Sequence, residues 1–142
     1  MTRVFLILVL LTSFSWVFPA AFDDWEKTRS IAESQHDIVM LLIKNKQYDK
    51  VLVASKKIFA LNFPPSKESM KVEHAKVASA ALSEQGNYGL AHQILDEALK
   101  AVASNKSKVV LYKEKAVVCS KHGQDAQAMK FLEEAVRLEE AP

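Results

Sequence analysis

Hydrophobic residues recur at intervals of three and four along most of this chain, with charged residues between them. One row of apolar positions comprises Ala91, Ile94, Leu95, Ala98, Leu99 and Val102. A second row comprises Ala128, Phe131, Leu132, Ala135, Val136 and Leu138. The intervening charged positions are Asp96, Glu97 and Lys100 in the first row and Lys130, Glu133, Glu134 and Arg137 in the second. This periodicity predicts two amphipathic helices, each with one buried and one solvated face.

Three segments of the chain repeat the same signals, displaced by 40 and 37 residues. Each segment contains a turn, centred on Lys46-Gln47, Gly86-Asn87 and His122-Gly123. Small or branched residues follow at matching positions: Val51, Ala91 and Ala128, then Ile58, Ala98 and Ala135. The repetition predicts three helix pairs. Glycine in the turn suits the left-handed conformation that ends the first helix of a pair. The predicted helix caps are Asn87, Asp125, Ser66 and Ser104, the last two in loops at residues 62–67 and 103–108.

This arrangement resembles the tetratricopeptide repeat. The matching features are the turn glycine, a tyrosine two residues later, and small residues three and ten positions beyond the tyrosine, seen best at Gly86, Tyr88, Ala91 and Ala98. The resemblance covers residues 32–142 and implies an all-α fold of three antiparallel helix hairpins, stacked as a short right-handed solenoid. The repeats would span about residues 32–65, 72–105 and 109–142 of a domain at 22–142.

The chain also departs from the family pattern. Lys46 replaces the turn glycine of the first repeat, Lys115 stands where an apolar residue is usual, and both intervals exceed the family period of 34. A general antiparallel helical bundle with longer loops is the alternative fold.

Residues 1–21 differ in character from the rest. An unbroken apolar run at 4–11 follows Arg3, and the segment ends in Pro19-Ala20-Ala21. These features are those of a cleaved secretory signal peptide. Residues 4–22 would also reach about 28 Å as a helix, so an uncleaved membrane anchor is the alternative. Either interpretation predicts an exported protein, periplasmic or secreted, that contacts a membrane only through residues 1–21 if they are retained.

Composition narrows the function classes. The chain has 142 residues, a net charge of +2 and a single cysteine, Cys119. Such a balanced charge gives no basis for nucleic-acid binding, and one cysteine excludes an internal disulfide framework. The sequence contains no glycine-rich phosphate loop or nucleophile elbow. We therefore expect neither catalytic residues nor a cofactor.

The family resemblance implies a concave binding surface formed by the first helix of each pair. Carried over position by position, the partner-binding candidates are His36, Met40, Lys44, Lys76, Ser83, Lys113, Val117, Ser120 and Lys121. Lys76, Lys113 and Lys121 could meet a carboxylate or an acidic peptide, or they could be ordinary solvated lysines. The asparagines of the chaperone-tail carboxylate clamp are absent at the matching positions.

The remaining histidines and the cysteine have simpler interpretations. Cys119 occupies the apolar position held by Leu42 and Leu82 in the other units, which predicts a buried structural thiol, although His122 is three residues away. His92 and Asp96 read as a surface pair, and no metal site is predicted. The expected function is non-enzymatic protein–protein interaction, as an adaptor or assembly factor in the cell envelope or outside the cell, with a protein or peptide partner. The alternatives are a membrane-anchored structural subunit of an envelope complex and a small-ligand or metal-binding carrier.

Overall fold

A computed structural model describes residues 21–142, which form α-helices, one short 3-10 helix and no strand. The α-helices are α1 (Ala21–Lys44), α2 (Tyr48–Phe59), α3 (Ser69–Glu84), α4 (Tyr88–Ala101), α5 (Asn105–Lys121) and α6 (Asp125–Glu139). The all-α prediction is therefore confirmed for this range. The predicted signal or anchor segment lies outside the described residues, apart from Ala21. Between residues 21 and 142, no helix is both long enough and apolar enough to cross a membrane.

The helices follow one another in pairs, joined by turns of three residues. Each turn contains one residue in the left-handed region: Lys46 at φ 57°, Gly86 at φ 76° and Gly123 at φ 74°. The N–H of the next residue donates to the carbonyl five positions earlier, as in Asn87 to Leu82 at 2.9 Å. These are Schellman motifs, which satisfy carbonyls that a helix end leaves without partners. All three predicted turns are confirmed.

The predicted helix caps were right at two positions and wrong at two. Asn87 accepts from the Leu90 N–H at 3.3 Å, and Ser104 accepts from the Ser107 N–H at 3.2 Å. Asp125 is instead the first residue of α6, and Ser66 lies in the 3-10 helix Pro65–Lys67, ahead of α3. The second predicted loop is shorter than expected, because α5 already begins at Asn105.

Glu68 joins the start of α3 to the connection between α4 and α5. Its carboxylate accepts from the Ala103 N–H at 2.6 Å and from the Ser104 hydroxyl at 2.6 Å. Burial opposes the charged form, but these hydrogen bonds outweigh it and lower the pKa of Glu68 to about 2. The Glu68 carboxylate therefore connects the α3–α4 pair to the segment that leads into the α5–α6 pair.

Packing links the two helices of each pair and also links neighbouring pairs. Contacts connect α1 with α2, α3 with α4 and α5 with α6, and also α1 with α3, α3 with α5, α2 with α4 and α4 with α5. The main core lies among the first two pairs and reaches α5. Its large buried side chains include Val39, Ile43, Val51, Ile58, Leu82, Ile94, Leu95 and Leu111. Fully buried alanines at 91 and 98 allow the helices to approach closely.

Candidate functional site

An open pocket of about 250 Å³ lies between the first helices of the first two pairs. The residues that line it are Ala32, Glu33, His36 and Asp37 of α1, Ile58 of α2, and Met70, Glu73, His74 and Val77 of α3. The α1 and α3 residues recur at helical spacings, so each helix turns one face to the pocket. Most of the surface area of the lining is apolar, although five of the nine lining residues are histidines or carboxylates.

The two histidines form a hydrogen-bonded chain in the wall of the pocket. His36 Nδ1 lies 2.8 Å from His74 Nδ1, and His74 Nε2 lies 3.1 Å from the hydroxyl oxygen of the buried Ser55. Burial, together with the nearby His36, lowers the pKa of His74 to about 3. The His74 ring is therefore neutral near pH 7, with one nitrogen donating and the other accepting. The network thus joins α1, α2 and α3.

Sequence reasoning missed this histidine pair. The two residues are 38 positions apart and lie on different helices, so no spacing within one helix relates them. That separation is close to the 40-residue displacement between the first two units, and this displacement could have indicated that the two histidines meet. Neighbouring units bring positions together when they are about one repeat apart.

Carboxylates surround the pocket. Glu33 forms an ion pair with Arg29 at 2.8 Å, within α1, and Glu73 forms one with Lys76 at 3.7 Å, within α3. Asp37 also lines the pocket and is exposed. The lining therefore combines an apolar interior with acidic groups.

The nine candidate residues do not converge on this pocket. His36 lines it, and Lys76 lies next to it through its ion pair with Glu73. Met40 is half-buried against the core, whereas Lys44, Val117, Ser120 and Lys121 are exposed. Lys113 forms an ion pair with Glu139 of α6 at 2.6 Å.

Ser83 differs from the expectation that it faces a partner. It is only 4% exposed, and its hydroxyl donates to the Ser79 carbonyl at 2.8 Å. The side chain is therefore directed into the packing of α3 and is removed from the candidate surface.

A second polar cluster connects α4, α5 and α6. Lys115 Nζ lies 2.5 Å from Asp96 Oδ1 and 4.3 Å from the centre of the Phe131 ring. Nearby, Cys119 Sγ lies 3.5 Å from His92 Nε2. Cys119 is buried, which confirms the prediction, and burial raises the pKa of its thiol. Asp96 and the Phe131 ring therefore stabilise the charge of Lys115, the lysine that departs from the family pattern.

The histidine that lies near Cys119 belongs to α4, not to α5 or the turn after it. His122 stacks on Tyr88 at 4.4 Å between ring centres, and His92 approaches the thiol instead. Asp96 pairs with Lys115 across two helices. Residues 21–142 contain no group of three or more histidine, cysteine, aspartate or glutamate side chains placed to hold a metal ion.

The resemblance to the tetratricopeptide repeat rests on the spacing of the turn and small residues. No protein-family model matches the chain, and no curated protein or solved structure matches it. Membership of that family stays a prediction.

Proposed function

We propose that this protein is a non-enzymatic protein–protein interaction module, built as a short tetratricopeptide-like solenoid. In this proposal it acts as an adaptor or assembly factor, exported to the cell envelope or secreted, and binds a segment of a partner protein along α1, α3 and α5. The observation that carries the proposal is the open, largely apolar pocket between α1 and α3. Concave apolar surfaces with a few polar groups are the usual sites for a ligand or a peptide side chain.

Hydrogen bonds and buried side chains connect the helices that form the pocket walls. The His36–His74–Ser55 chain and the buried core side chains hold α1, α2 and α3 together. A preformed pocket lowers the entropy lost when a partner binds. An apolar side chain of the partner would fill the pocket as an anchor.

The charges near the pocket favour one kind of partner segment. Glu33 and Glu73 each pair with a basic residue of their own helix, whereas the exposed Asp37 suits a basic residue beside the apolar anchor. Lys76 and Lys113 each pair with a carboxylate of this chain, which weakens the case for an acidic peptide. We therefore propose a segment that combines an apolar anchor with a lysine or an arginine.

Filling the pocket tests this proposal. Val77 is half-buried in the pocket lining, so Val77→Trp would occupy the space of the anchor. We expect the full-length variant to lose the partner that the wild-type chain retains in affinity purification. Val53→Trp is the matched control, because Val53 is exposed on α2. Circular dichroism of both variants checks that the helices are retained.

Two results would count against the pocket. If Val77→Trp and Val53→Trp retain the partner equally, the pocket is not the binding site. If replacement of Lys76, Lys113 and Lys121 by glutamate removes the partner while Val77→Trp does not, the acidic-peptide interpretation is favoured. The basic-segment proposal predicts that this charge reversal leaves the capture intact.

A further inference from the structure

The last helix exposes a row of apolar side chains. Met129, Leu132 and Val136 are 58%, 40% and 48% exposed, and their spacing places them on one face of α6. The first helix has a corresponding feature, because Ile38 and Leu41 of α1 are 47% and 56% exposed. Both ends of the array of helix pairs therefore present apolar side chains to solvent.

The repeat displacements show what the α6 positions do in the other units. The residues of α4 that correspond to Met129, Leu132 and Val136 are His92, Leu95 and Leu99, and those of α2 are Leu52, Ser55 and Phe59. All six are buried or half-buried. Several of them contact the following pair directly, as His92 does with Cys119 and Ser55 does with His74. In the first and second units this face is therefore the one that receives the next helix pair.

The α1 positions have the opposite relation. Ile38 corresponds to Ala78 and Lys115, and Leu41 corresponds to Ala81 and Val118. Ala78 and Val118 are buried in the core, and Ala81 packs against it. Lys115 forms its ion pair with Asp96 of α4, in the preceding pair. In the second and third units this face is therefore the one that rests on the previous helix pair.

We infer that a second copy of this chain stacks head to tail on the first, with α6 of one copy against α1 of the next. The two exposed rows are the two halves of an interface that the chain already forms twice between its own units. Repeat arrays need a polar outer face at each end to remain soluble alone, and both ends of this array carry apolar rows. Because the two surfaces differ, the contact is heterologous, and repeated stacking produces an open chain of subunits. This inference concerns the ends of the array and is independent of the α1–α3 pocket.

Position-specific cross-linking tests the arrangement. Asp96 and Lys115 are the internal counterparts of Glu133 and Ile38, so head-to-tail stacking brings Glu133 of one copy near Ile38 of the next. Full-length chains carrying Glu133→Cys or Ile38→Cys, both with Cys119→Ala to remove the native thiol, are mixed and treated with a short bismaleimide. We expect cross-linked dimers in the mixture and little in either variant alone. A chain carrying both new cysteines should give a ladder of dimers, trimers and larger species.

The control and the contrary outcomes are equally specific. Val53→Cys replaces Ile38→Cys in the control mixture, because Val53 and its counterparts Gln93 and Lys130 are all exposed. Equal cross-linking in the control would mean non-specific association, for instance through the apolar run at 4–11. Dimers of Glu133→Cys alone would indicate two-fold pairing of α6 and overturn the inference. So would a monomer in analytical ultracentrifugation at every concentration.

A second measurement does not require cross-linking. The wild-type sedimentation coefficient should rise with protein concentration, and Leu132→Glu should abolish that rise while the helical circular dichroism is kept. Leu132 is 40% exposed, so its substitution leaves the core of one copy largely unchanged. A rise that persists in Leu132→Glu would place self-association elsewhere and contradict the inference.

Discussion

His74 is a buried histidine whose two ring nitrogens both have hydrogen-bond partners. Its ring also meets Phe59 edge-on, with ring centres 5.5 Å apart. The neutral ring satisfies the polar groups of His36 and Ser55, whereas a charged ring would have to be desolvated. At the scale of one residue, His74 therefore stays uncharged, and its neutral ring links His36 and Ser55 in one hydrogen-bond network.

Acid should destabilise the protein through His74. Its pKa is about 3 in the folded chain and about 6.5 when unfolded. Between these values the unfolded state binds a proton that the native state does not, so stability falls as the pH drops from about 6.5 towards 3. In that window the free energy of unfolding of the wild type should fall by up to about 1.4 kcal/mol per pH unit relative to that of His74→Gln. Urea unfolding at several pH values measures the difference.

The exposed His122 provides the control for this prediction. His122→Gln should follow the pH dependence of the wild type closely. If the stability of His74→Gln falls with acid as much as that of the wild type and of His122→Gln, His74 is not the group that causes the acid dependence.

Lys115 illustrates what a sequence pattern predicts at one residue. The repeat pattern places an apolar residue there, and the position is indeed buried. Its charge is accommodated by Asp96 of α4 and by the Phe131 ring of α6. The pattern therefore predicted burial but not partners, because those partners lie on other helices.

At the scale of the elements, the turns within the helix pairs are the best-determined features. The same pair of Schellman hydrogen bonds closes each first helix, although Lys46 stands where the other units have Gly86 and Gly123. A residue with a Cβ atom is strained in the left-handed region, whereas glycine is not. The first turn therefore carries a local cost that the other two avoid.

Substitutions at these turns should change stability in opposite directions. Gly86→Ala should destabilise the protein by about 1 kcal/mol, because φ is 76° at that residue. Lys46→Gly should stabilise it by about 0.5 to 1 kcal/mol for the same reason. Chemical unfolding of each variant gives the free energies of unfolding.

Gly89 is a sharp control for the turn glycine. It is the second residue of α4, and a Cβ atom added there would meet nothing within 4 Å. Gly89→Ala should therefore stabilise the protein by up to about 1 kcal/mol through helix propensity. Equal effects of Gly86→Ala and Gly89→Ala would show that backbone conformation is not the cause.

At the scale of the whole molecule, burial is uneven along the array. The large core cluster involves the first two pairs and part of α5, whereas a smaller cluster of Ala116, Cys119 and Ala128 joins α5 to α6. Only Ala128 and Ala135 are buried in α6. Repeat proteins gain stability from contacts between neighbouring units, and α6 has a unit on one side only.

Hydrogen exchange should reveal this gradient. At low protein concentration we expect the amides of α6 to exchange faster than those of α4, which packs between two other pairs. Raising the concentration should slow exchange in α6 selectively if a second copy covers it. Uniform protection of α4 and α6 at low concentration would contradict the prediction of a weak end.

The sequence by itself determined the helices and the turns within each pair, since both depend on local interactions. Helical periodicity selects the buried face of each helix, and glycine or a tolerated left-handed residue ends it. The sequence also identified Cys119 as buried, through its position in the repeat. The N-terminal segment, the family and the function remain predictions.

Only the tertiary structure decided which side chains from different helices meet. It placed His36 against His74, Lys115 against Asp96, and Lys113 against Glu139. It also directed Ser83 into the packing and left the nine candidate residues without a single common pocket. These outcomes depend on how each helix is rotated and inclined relative to its neighbours, which long-range packing sets and the spacing within one helix does not.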